Sequence, residues 1–524
     1  MTPGSAWRDQ LQEAAAFAQR GEFDQFVAGC KQLFGENPHD LEAALHIGAT
    51  LAAFGFVSLA RSCYTHARSL APNDLRPLIS LADLAQQAGA QQEASRLYQF
   101  LQERLPNHPV LRRNALTALE YDSDIPDAKR VEQAKVWGDW AVARAGRPLP
   151  RPVTGRHDGP LRVGYVSADL CQHTVGLFVK DVLAAHDKSR VTAFAYSAGR
   201  QQDWVTTAIQ HATTFRDVST LDDAALAAQI RADEINVLVD LSGHTGGSRL
   251  TAFALRPAPV QVSWLGYFAT TGLPTIDAVL LDEWHAPPGT ESQFVERIIR
   301  MPQGRLCYTP VPFAPDTVAP PPCLANGYIT LGSFNNTAKY NEYVFDVWAQ
   351  VLHAVPTSRL LLKWRTFHDE PLQAKVRAAF AERGIDPARI ELRGASFHAD
   401  VLKQYADIDI ALDPFPFTGG LTSCEALWMG VPVVTWPQSR VVSRQTFAFL
   451  SQIGLAELAA TDAEEYVRIA AGLAADIQRL AGLRAGMRDR MRSSPLCNVA
   501  DFAKGLEDTY FALYNDFAAE QVSD

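Results

Sequence analysis

The feature that most restricts how this chain can fold is a 34-residue period within its first 108 residues. Prolines and glycines recur at this interval, namely Pro38, Pro72 and Pro106 and Gly21, Gly55 and Gly89. A fixed period of this length indicates a repeated supersecondary unit that buries its apolar face against the next copy. The sequence therefore predicts a stacked array at its N-terminal end rather than a single closed core.

The residues inside the period predict two helices in each unit. Successive copies place small and aromatic residues in the same register, Ala60 with Ala94 and Tyr64 with Tyr98. Small residues let two helices approach closely and the proline ends the second helix, which is typical of tetratricopeptide repeats. We predict an all-α repeat domain over residues 1–108 with a degenerate first copy as its cap. Such an arm can recognise a partner or pack on its own chain, and the sequence favours neither.

Helical sequence continues beyond the repeats and ends at a proline-rich stretch, RPLPRPVTGRHDGP. We predict a helical linker over 109–155. After it, short β-branched runs alternate with amphipathic segments, which indicates parallel sheets. One series of runs is LRVGYVS, VTAFAYS, INVLVDL, VQVSWLG and AVLLD, and a second is YITLGSF, SRLLLKW, RIELRG, IDIALD and PVVTW. They predict two Rossmann-like α/β lobes, over 156–315 and 316–524.

Charge and cysteine content disfavour several classes of protein. The net charge is −10, from 48 Lys and Arg against 58 Asp and Glu, and no basic run occurs, so we expect no nucleic-acid partner. The seven cysteines form no C-x-x-C pair, which favours a reducing compartment over disulfides or a zinc cluster. Neither a signal peptide nor an apolar run of about 18 residues is evident. We therefore expect a cytoplasmic protein without a membrane span.

Two common ligand signatures are missing or weak. No G-x-G-x-x-G follows the first strand of either lobe, which removes the main support for a dinucleotide-dependent oxidoreductase. Asp407 and Asp409 resemble a metal-binding pair, but they lie at the entrance of the apolar strand IDIALD. We predict that they cap or turn the chain there and hold no metal.

Ligands of doubly wound lobes bind beside the carboxyl ends of the strands. In the first lobe, Asp169 and His173 follow the first strand, where a carboxylate and an imidazole can act as an acid/base pair or orient a hydroxyl. A surface loop that only caps the next helix through Thr174 is the alternative. A later strand ends in VDLSGHTGGSRL, a glycine-rich turn whose amides can approach a ligand.

In the second lobe, Asn335, Asn336 and Lys339 lie at a predicted strand-to-helix turn, where amides and an ammonium group suit a diphosphate. A second such turn opens the helix of TGGLTSCEALW, and its predicted ligand contacts are Gly419, Gly420, Thr422, Ser423 and Glu425. Hydroxyls and amides there can hold phosphate, while the carboxylate can accept both hydrogen bonds of a ribose diol. Thr and Glu in a first helical turn also form ordinary caps, so both interpretations stay open.

These motifs occur in an order that resembles the O-GlcNAc transferase and SPINDLY family. The resemblance rests on the repeats and on RVGYVSADLCQHTVGLF, DLSGHTGG, LRPAPVQVSWLGYFATTGLPTIDAVLLD, SFNNTAKYNEYVFDVWAQVL and LDPFPFTGGLTSCEALWMGVPVVTW. It implies a GT-B fold and an inverting transfer from a nucleotide-sugar to Ser or Thr of a protein. It also implies that no metal or other cofactor is needed, and that the repeats help to present the protein acceptor.

The resemblance assigns roles residue by residue. Asp169 and His173 match the family's active-site pair, and Lys339 matches its pyrophosphate lysine, so these three are the expected catalytic residues. Asn336 stands where relatives carry a Gln at the diphosphate, and His398 stands where animal members carry a ribose-contacting Lys. The family's phosphate-binding turn matches this chain at Thr422, and its ribose-binding carboxylate matches Glu425. From their place in loops after the first-lobe strands, rather than from the resemblance, we also expect Thr174, His244 and Thr245 near the acceptor or the transferred sugar.

The donor stays open between two nucleotide-sugars. Animal O-GlcNAc transferases carry His-Thr-Thr where this chain has Gly420, Leu421 and Thr422. The Gly-Gly form is more similar to SPINDLY-type and bacterial members, and the SPINDLY branch uses GDP-fucose. We expect UDP-GlcNAc as the leading donor and GDP-fucose as the alternative. A repeat scaffold with a decayed transferase body is a further alternative, although the expected site residues are all present.

Overall fold

The computed structural model describes residues 6–146, 151 and 159–523. Most of the proline-rich stretch at the predicted domain boundary therefore lies outside the described residues. The arm is built from helical pairs, as predicted: α1 (Ala6–Gln19) with α2 (Phe23–Glu36), α3 (Leu41–Ala53) with α4 (Val57–Leu70), and α5 (Arg76–Gln87) with α6 (Gln91–Arg104).

Each pair is joined by the same turn, and this turn explains the periodic glycines. Gly21, Gly55 and Gly89 have φ values of +82°, +91° and +76°. Only glycine adopts this left-handed region without a steric cost, so it can end one helix and start the next within a few residues. The close packing of the two helices in a pair requires small residues. At Gly48, for example, a Cβ would lie only 2.7 Å from the Tyr64 ring. The predicted tetratricopeptide arm is confirmed.

The arm continues into two more helices, α7 (Pro109–Leu119) and α8 (Asp127–Ala145), within the predicted linker. Helix α8 lies against the first lobe so closely that a Cβ on Gly138 would collide with the carbonyl of Gly272. The loop between the two helices contacts the second lobe instead. The Arg440 guanidinium donates to the carbonyl oxygens of Asp122, at 2.7 Å, and Ile125. This helical pair therefore contacts both lobes.

The first lobe is a parallel seven-stranded sheet in the order β3-β2-β1-β4-β5-β6-β7. Its strands are β1 (Leu161–Ser167), β2 (Val191–Ser197), β3 (Thr214–Asp217), β4 (Val237–Asp240), β5 (Val260–Trp264), β6 (Ala278–Leu281) and β7 (Arg297–Arg300). Helices α9 (Thr174–Ala184), α10 (Trp204–Ala212), α11 (Asp223–Ala232) and α12 (Leu250–Phe253) connect them. The two strands not predicted, β3 and β7, lie at the sheet edges and lack long apolar runs.

The second lobe is a parallel five-stranded sheet in the order β10-β9-β8-β11-β12. Its strands are β8 (Thr330–Ser333), β9 (Arg359–Lys363), β10 (Ile390–Arg393), β11 (Ile410–Leu412) and β12 (Val433–Val434). The helices around it are α13 (Cys323–Asn326), α14 (Glu342–Ala354), α15 (Glu370–Glu382), α16 (His398–Gln404), α17 (Leu421–Trp428), α18 (Gln445–Gln452), α19 (Ala463–Ala475) and α20 (Ile477–Arg492). The two-lobed α/β prediction is confirmed.

The last helix, α21 (Val499–Ser523), returns to the first lobe, although the predicted range 316–524 assigns it to the second. Phe502 packs 6.0 Å from the Trp264 ring of β5. The buried Glu507 carboxylate lies 3.1 Å from His186 Nδ1 and 3.2 Å from Arg190 Nη1. These partners lie far apart in the sequence, which explains why no local pattern indicates the crossing. None of the helices in the described ranges combines the length and apolarity needed to cross a bilayer.

We predict that Glu507→Ala destabilises the attachment of α21. The change leaves His186, Arg190 and the Asp187 amide without their buried acceptor, so the free energy of unfolding should fall by about 3 kcal/mol. Chemical denaturation followed by circular dichroism measures the change, and hydrogen exchange locates it on α21. The control is Asp508→Ala, whose exposed ion pairs should contribute less than about 1 kcal/mol. Equal small effects of both changes would contradict the prediction.

Candidate functional site

The carboxyl ends of both sheets face one cavity of about 640 Å³ between the lobes. Residues from both lobes line it, as expected for doubly wound folds. The lining includes most of the predicted site residues, namely His173, Thr174, Thr245, Asn335, Asn336, Lys339, His398, Gly420, Thr422 and Glu425. Residues that lie far apart in the sequence, from His173 to Glu425, thus share one cleft.

Lys339 is the central cation of this cleft. It follows β8 in a short 3₁₀ turn, Thr337–Lys339, which Asn336 caps by accepting the Ala338 amide at 3.0 Å. The ammonium Nζ donates to Asn335 Oδ1 at 3.0 Å and to the Thr418 carbonyl at 2.8 Å. Burial lowers the pKa of Lys339 to about 8, although the nearby Asp413 carboxylate opposes this shift. The ammonium is partly buried, and no carboxylate among the described residues forms an ion pair with it, which suits it to an anionic ligand.

Helix α17 presents its first turn to the same space. Gly420 is its N-cap residue, and Thr422 donates through Oγ1 to Asn335 Oδ1 at 3.2 Å. The first turn of α17 therefore contacts the segment after β8 that carries Lys339. Glu425, one turn further on, lies 2.6 Å from His398 Nε2. A carboxylate and an imidazole side by side can bind a vicinal diol through several hydrogen bonds.

His398 also connects the two lobes. Its Nδ1 lies 3.4 Å from Gln172 Nε2 of the first lobe, and its ring is 5.2 Å from the Phe313 ring. The side chain of Phe397, the preceding residue, is exposed to solvent. His398 therefore lies at the cleft entrance, with its ring between the carboxylate of Glu425 and the opposite lobe.

Three predicted contact residues lie behind the cleft surface, which differs from the expectation. The Gly419 amide donates to Asp413 Oδ1 at 2.7 Å, and the Ser423 hydroxyl pairs with Thr446 Oγ1 at 2.8 Å. Both groups are thus already satisfied inside the second lobe. His244 is 1% exposed, donates through Nε2 to the Thr271 carbonyl at 2.8 Å, and packs edge-on against Trp137 of α8. Burial lowers the pKa of His244 to about 4, so it is a neutral contact between arm and first lobe.

His173 lines the first-lobe side of the cleft, and Asp169 lies beside it, behind the lining residues, with 3.7 Å between Nδ1 and Oδ2. His173 is also the N-cap of α9, and its Nδ1 accepts the Val175 amide at 3.3 Å. An amide donates only to an unprotonated ring nitrogen, so the neutral imidazole carries its hydrogen on Nε2 in this arrangement. Burial raises the pKa of Asp169, and only a protonated His173 would oppose that rise. This geometry suits orientation of a hydroxyl better than direct proton abstraction.

Several cleft residues escaped the sequence analysis. Lys363, Trp364 and Arg365 lie at or directly after the end of β9, so their position at a strand's carboxyl end was a usable signal. The Lys363 ammonium donates to the Gly394 carbonyl and Ser396 Oγ, both at 2.7 Å, and burial lowers its pKa to about 8. Gln445 also lines the cleft and donates to the Thr418 carbonyl at 3.2 Å.

An aromatic wall closes the cleft near Lys339. The Phe417 ring lies 4.8 Å from Lys339 Nζ, and Phe268 of the first lobe packs edge-on against it at 5.0 Å. Tyr121, from the α7–α8 loop, stacks on the same ring at 4.5 Å. The arm therefore contributes a side chain to the cleft, and no local pattern near Tyr121 could have indicated this contact.

The aspartates near β11 have structural roles. The Asp409 carboxylate is buried and accepts the amides of Cys323, at 3.1 Å, and Thr330, at 2.8 Å. Asp407 pairs with Arg393 at 2.5 Å at the strand entrance. This arrangement fits the predicted capping function.

Two parallel-sheet lobes face one cleft that contains lysine side chains, and comparison with known proteins identifies the chain as a glycosyltransferase. The chain matches glycosyl transferase family 41 over residues 149–307 and 322–506 and belongs to it. An O-GlcNAc transferase of Thermobaculum terrenum, solved as a mutant, superposes with a TM-score of 0.88 at 32% identity, covering 99% of this chain and 100% of that one.

Two curated relatives carry related names. The Arabidopsis thaliana protein named as a probable UDP-N-acetylglucosamine–peptide N-acetylglucosaminyltransferase SPINDLY is 37% identical over 417 residues, 78% of this chain and 45% of its own length. The Caenorhabditis elegans UDP-N-acetylglucosamine–peptide N-acetylglucosaminyltransferase is 25% identical over 464 residues, 66% of this chain and 40% of its own. The chain thus spans less than half the length of these relatives. The expected resemblance to the O-GlcNAc transferase and SPINDLY family is confirmed.

The pKa of Lys339 predicts how the binding of a nucleoside diphosphate depends on pH. Because burial lowers this pKa to about 8, the ammonium is charged near pH 7 and loses its charge as the pH rises through 8. We expect affinity to fall by about thirtyfold between pH ~7 and ~9.5, since the binding of an anion requires the proton and the charged fraction falls by about that factor. Calorimetric titration across this range measures the effect.

The control distinguishes the titration of Lys339 from that of Lys363, since burial lowers the pKa of each lysine to about 8. Lys339→Ala should weaken binding at pH 7 and remove most of the pH dependence, whereas Lys363→Ala should retain the decline. A decline of full size in Lys339→Ala would assign the titration to another group.

Proposed function

We propose that the protein is an inverting, metal-independent O-glycosyltransferase that moves a sugar from a nucleotide-sugar to Ser or Thr of a protein. The observation that carries this proposal is the convergence of the Lys339 ammonium, the N-terminal turn of α17 and Glu425 on one cleft. The names of the relatives, which describe peptide N-acetylglucosaminyltransferases, support it.

The second lobe would bind the nucleotide part of the donor. Lys339 and the hydroxyl of Thr422 lie where a diphosphate can accept hydrogen bonds, and Asn336 holds the turn that carries the lysine. Glu425 and His398 would bind the ribose hydroxyls. Asn335 and Thr418 hold the ammonium in place, so it can stabilise the charge that develops on the leaving diphosphate with little reorganisation. This lysine and the helix amides supply the positive charge that a divalent cation supplies in metal-dependent enzymes.

The first lobe would orient the acceptor. In a single displacement, the hydroxyl oxygen of Ser or Thr bonds to the anomeric carbon as the bond to the diphosphate oxygen breaks, which inverts the configuration at that carbon. The hydroxyl proton would pass to an oxygen of the departing diphosphate. His173 lines the cleft from the N-terminus of α9 and carries its hydrogen on Nε2, so it can position the hydroxyl or the sugar. Thr174 and Thr245 line the same side. The repeat arm borders the cleft through Tyr121 and would help to present the protein acceptor.

UDP-GlcNAc is the leading donor and GDP-fucose is the alternative. A thermal-shift panel with UDP, GDP and their sugars tests this, because a ligand at 100 times its Kd should stabilise the protein by about 2.7 kcal/mol. Stabilisation by UDP and UDP-GlcNAc supports the leading donor, and a response to GDP and GDP-fucose alone supports the alternative. No response to any nucleotide would contradict the proposal. Transfer that is lost with a chelator and restored by Mg²⁺ or Mn²⁺ would refute metal independence.

Two substitutions separate nucleotide binding from transfer. We expect Glu425→Ala to weaken the bare nucleoside diphosphate and the sugar donor alike, by roughly 1.5–3 kcal/mol for each charge-assisted hydrogen bond lost. His173→Ala should spare nucleotide affinity and lower turnover, because the residue lies in the other lobe. Calorimetric titration and turnover assays of both variants measure these effects. Unchanged nucleotide affinity in Glu425→Ala would show that the carboxylate serves the fold alone.

A further inference from the structure

The repeat arm packs on the second lobe through the tips of its turns. The turn at Gly55 contacts Arg365 and Thr366, which follow β9, and the turn at Gly89 contacts Thr337 and Tyr340, which follow β8. The segments at the ends of β8 and β9 also carry Lys339 and Lys363 into the cleft. Each of these segments therefore lies between the cleft on one side and a turn of the arm on the other.

The contact at Gly89 is close and depends on the missing side chain. A Cβ at this position would collide with the Tyr340 carbonyl oxygen and lie 3.0 Å from that of Thr337. By contrast, a Cβ at Gly21, in the equivalent turn of the first repeat, would have no neighbour within 4 Å. The two turns otherwise match, since each glycine amide donates to the carbonyl three residues earlier at 3.0 Å.

Hydrogen bonds complete the attachment of the third repeat. Gln91, which is 8% exposed, donates through Nε2 to the Ala338 carbonyl at 2.5 Å. Thr337 donates through Oγ1 to the Gln87 carbonyl at 2.6 Å. These bonds hold the backbone next to Lys339 from the side of the arm. Asn335 and Thr418 hold the ammonium itself from within the lobe.

From this geometry we propose that the arm is a functional part of the diphosphate site, with Gly89 and Gln91 as positioning residues for Lys339. The turn that carries the lysine spans only three residues, and it is the arm that fixes its outer face. Loosening this contact would let the ammonium move relative to the N-terminus of α17, so both groups could no longer bind one diphosphate in their present geometry. This inference rests on the proposed donor site.

The 34-residue period supplies matched variants for a test. Gly89→Ala and Gly21→Ala impose the same left-handed strain on equivalent turns, but only Gly89→Ala disturbs the contact with Tyr340. We expect Gly89→Ala to weaken UDP or GDP, whichever binds the wild type, by about tenfold, and Gly21→Ala by less than about twofold. Calorimetric titration well below the melting temperature measures both affinities.

A second pair of substitutions tests the inference even if Gly89→Ala does not fold. Gln91→Ala removes the bond to Ala338 and should weaken the nucleoside diphosphate severalfold, whereas Gln92→Ala, at the exposed neighbouring position, should not change it. If Gly89→Ala and Gln91→Ala both bind as the wild type does, the arm does not position the lysine and the inference fails.

A double-mutant cycle shows whether the effect passes through the lysine. In a Lys339→Ala background, Gly89→Ala should cost less than about twofold in affinity, because the group that it displaces is gone. A full tenfold loss in that background would mean that the arm acts on another part of the cleft, which would overturn the proposed route.

Hydrogen exchange separates this inference from the proposed function. Without nucleotide, amides of residues 335–340 should exchange faster in Gly89→Ala than in Gly21→Ala. Failure of the wild type to bind any nucleoside diphosphate would refute the donor site but leave this exchange difference intact. Equal exchange in the two variants would refute the arm's hold on the turn, whatever the wild type binds.

Discussion

The structure depends on one constraint, the partial burial of a lysine ammonium at the carboxyl edge of the second sheet. Removing a charge from water is costly, and here two oxygen acceptors and an aromatic face, those of Asn335, Thr418 and Phe417, replace part of the water around it. No described carboxylate lies within ion-pair distance of Lys339 Nζ. The positive charge is therefore held in place and left for an anion, a situation that the surrounding elements must keep rigid.

Several elements contribute to that rigidity from far along the chain. The arm braces the turns after β8 and β9, and Arg440 anchors the α7–α8 loop on the second lobe through backbone carbonyls. Helix α21 runs from the second lobe to the first, where the buried Glu507 attaches it. The two lobes are thus joined by helices that precede them in the sequence, α7 and α8, and by a helix that follows them, α21. The cleft lies between the two lobes.

The repeat arm has a structural role, the support of both lobes, in addition to any role in acceptor binding. Its helices contact both lobes, through Trp137 beside His244 and through Tyr121 beside Phe417. A partner that bends the arm would act on the same turns that hold the cleft lysines. In the described chain the repeat arm therefore packs on both lobes and is not a structurally independent domain.

The sequence by itself determined the kind of elements and the positions of most cleft residues. Periodicity predicted the helical pairs, apolar β-branched runs predicted ten of the twelve strands in the described residues, and polar motifs after strands predicted Lys339, Thr422 and Glu425 at one cleft. These inferences succeed because repeat period and parallel-strand direction are local properties with fixed geometric consequences. Tertiary structure alone decided which neighbouring side chain faces the cleft. Ser423 turns to Thr446, Gly419 gives its amide to Asp413, His244 is buried beneath the arm, and Tyr121 enters the site, because each depends on a partner that the local sequence does not specify.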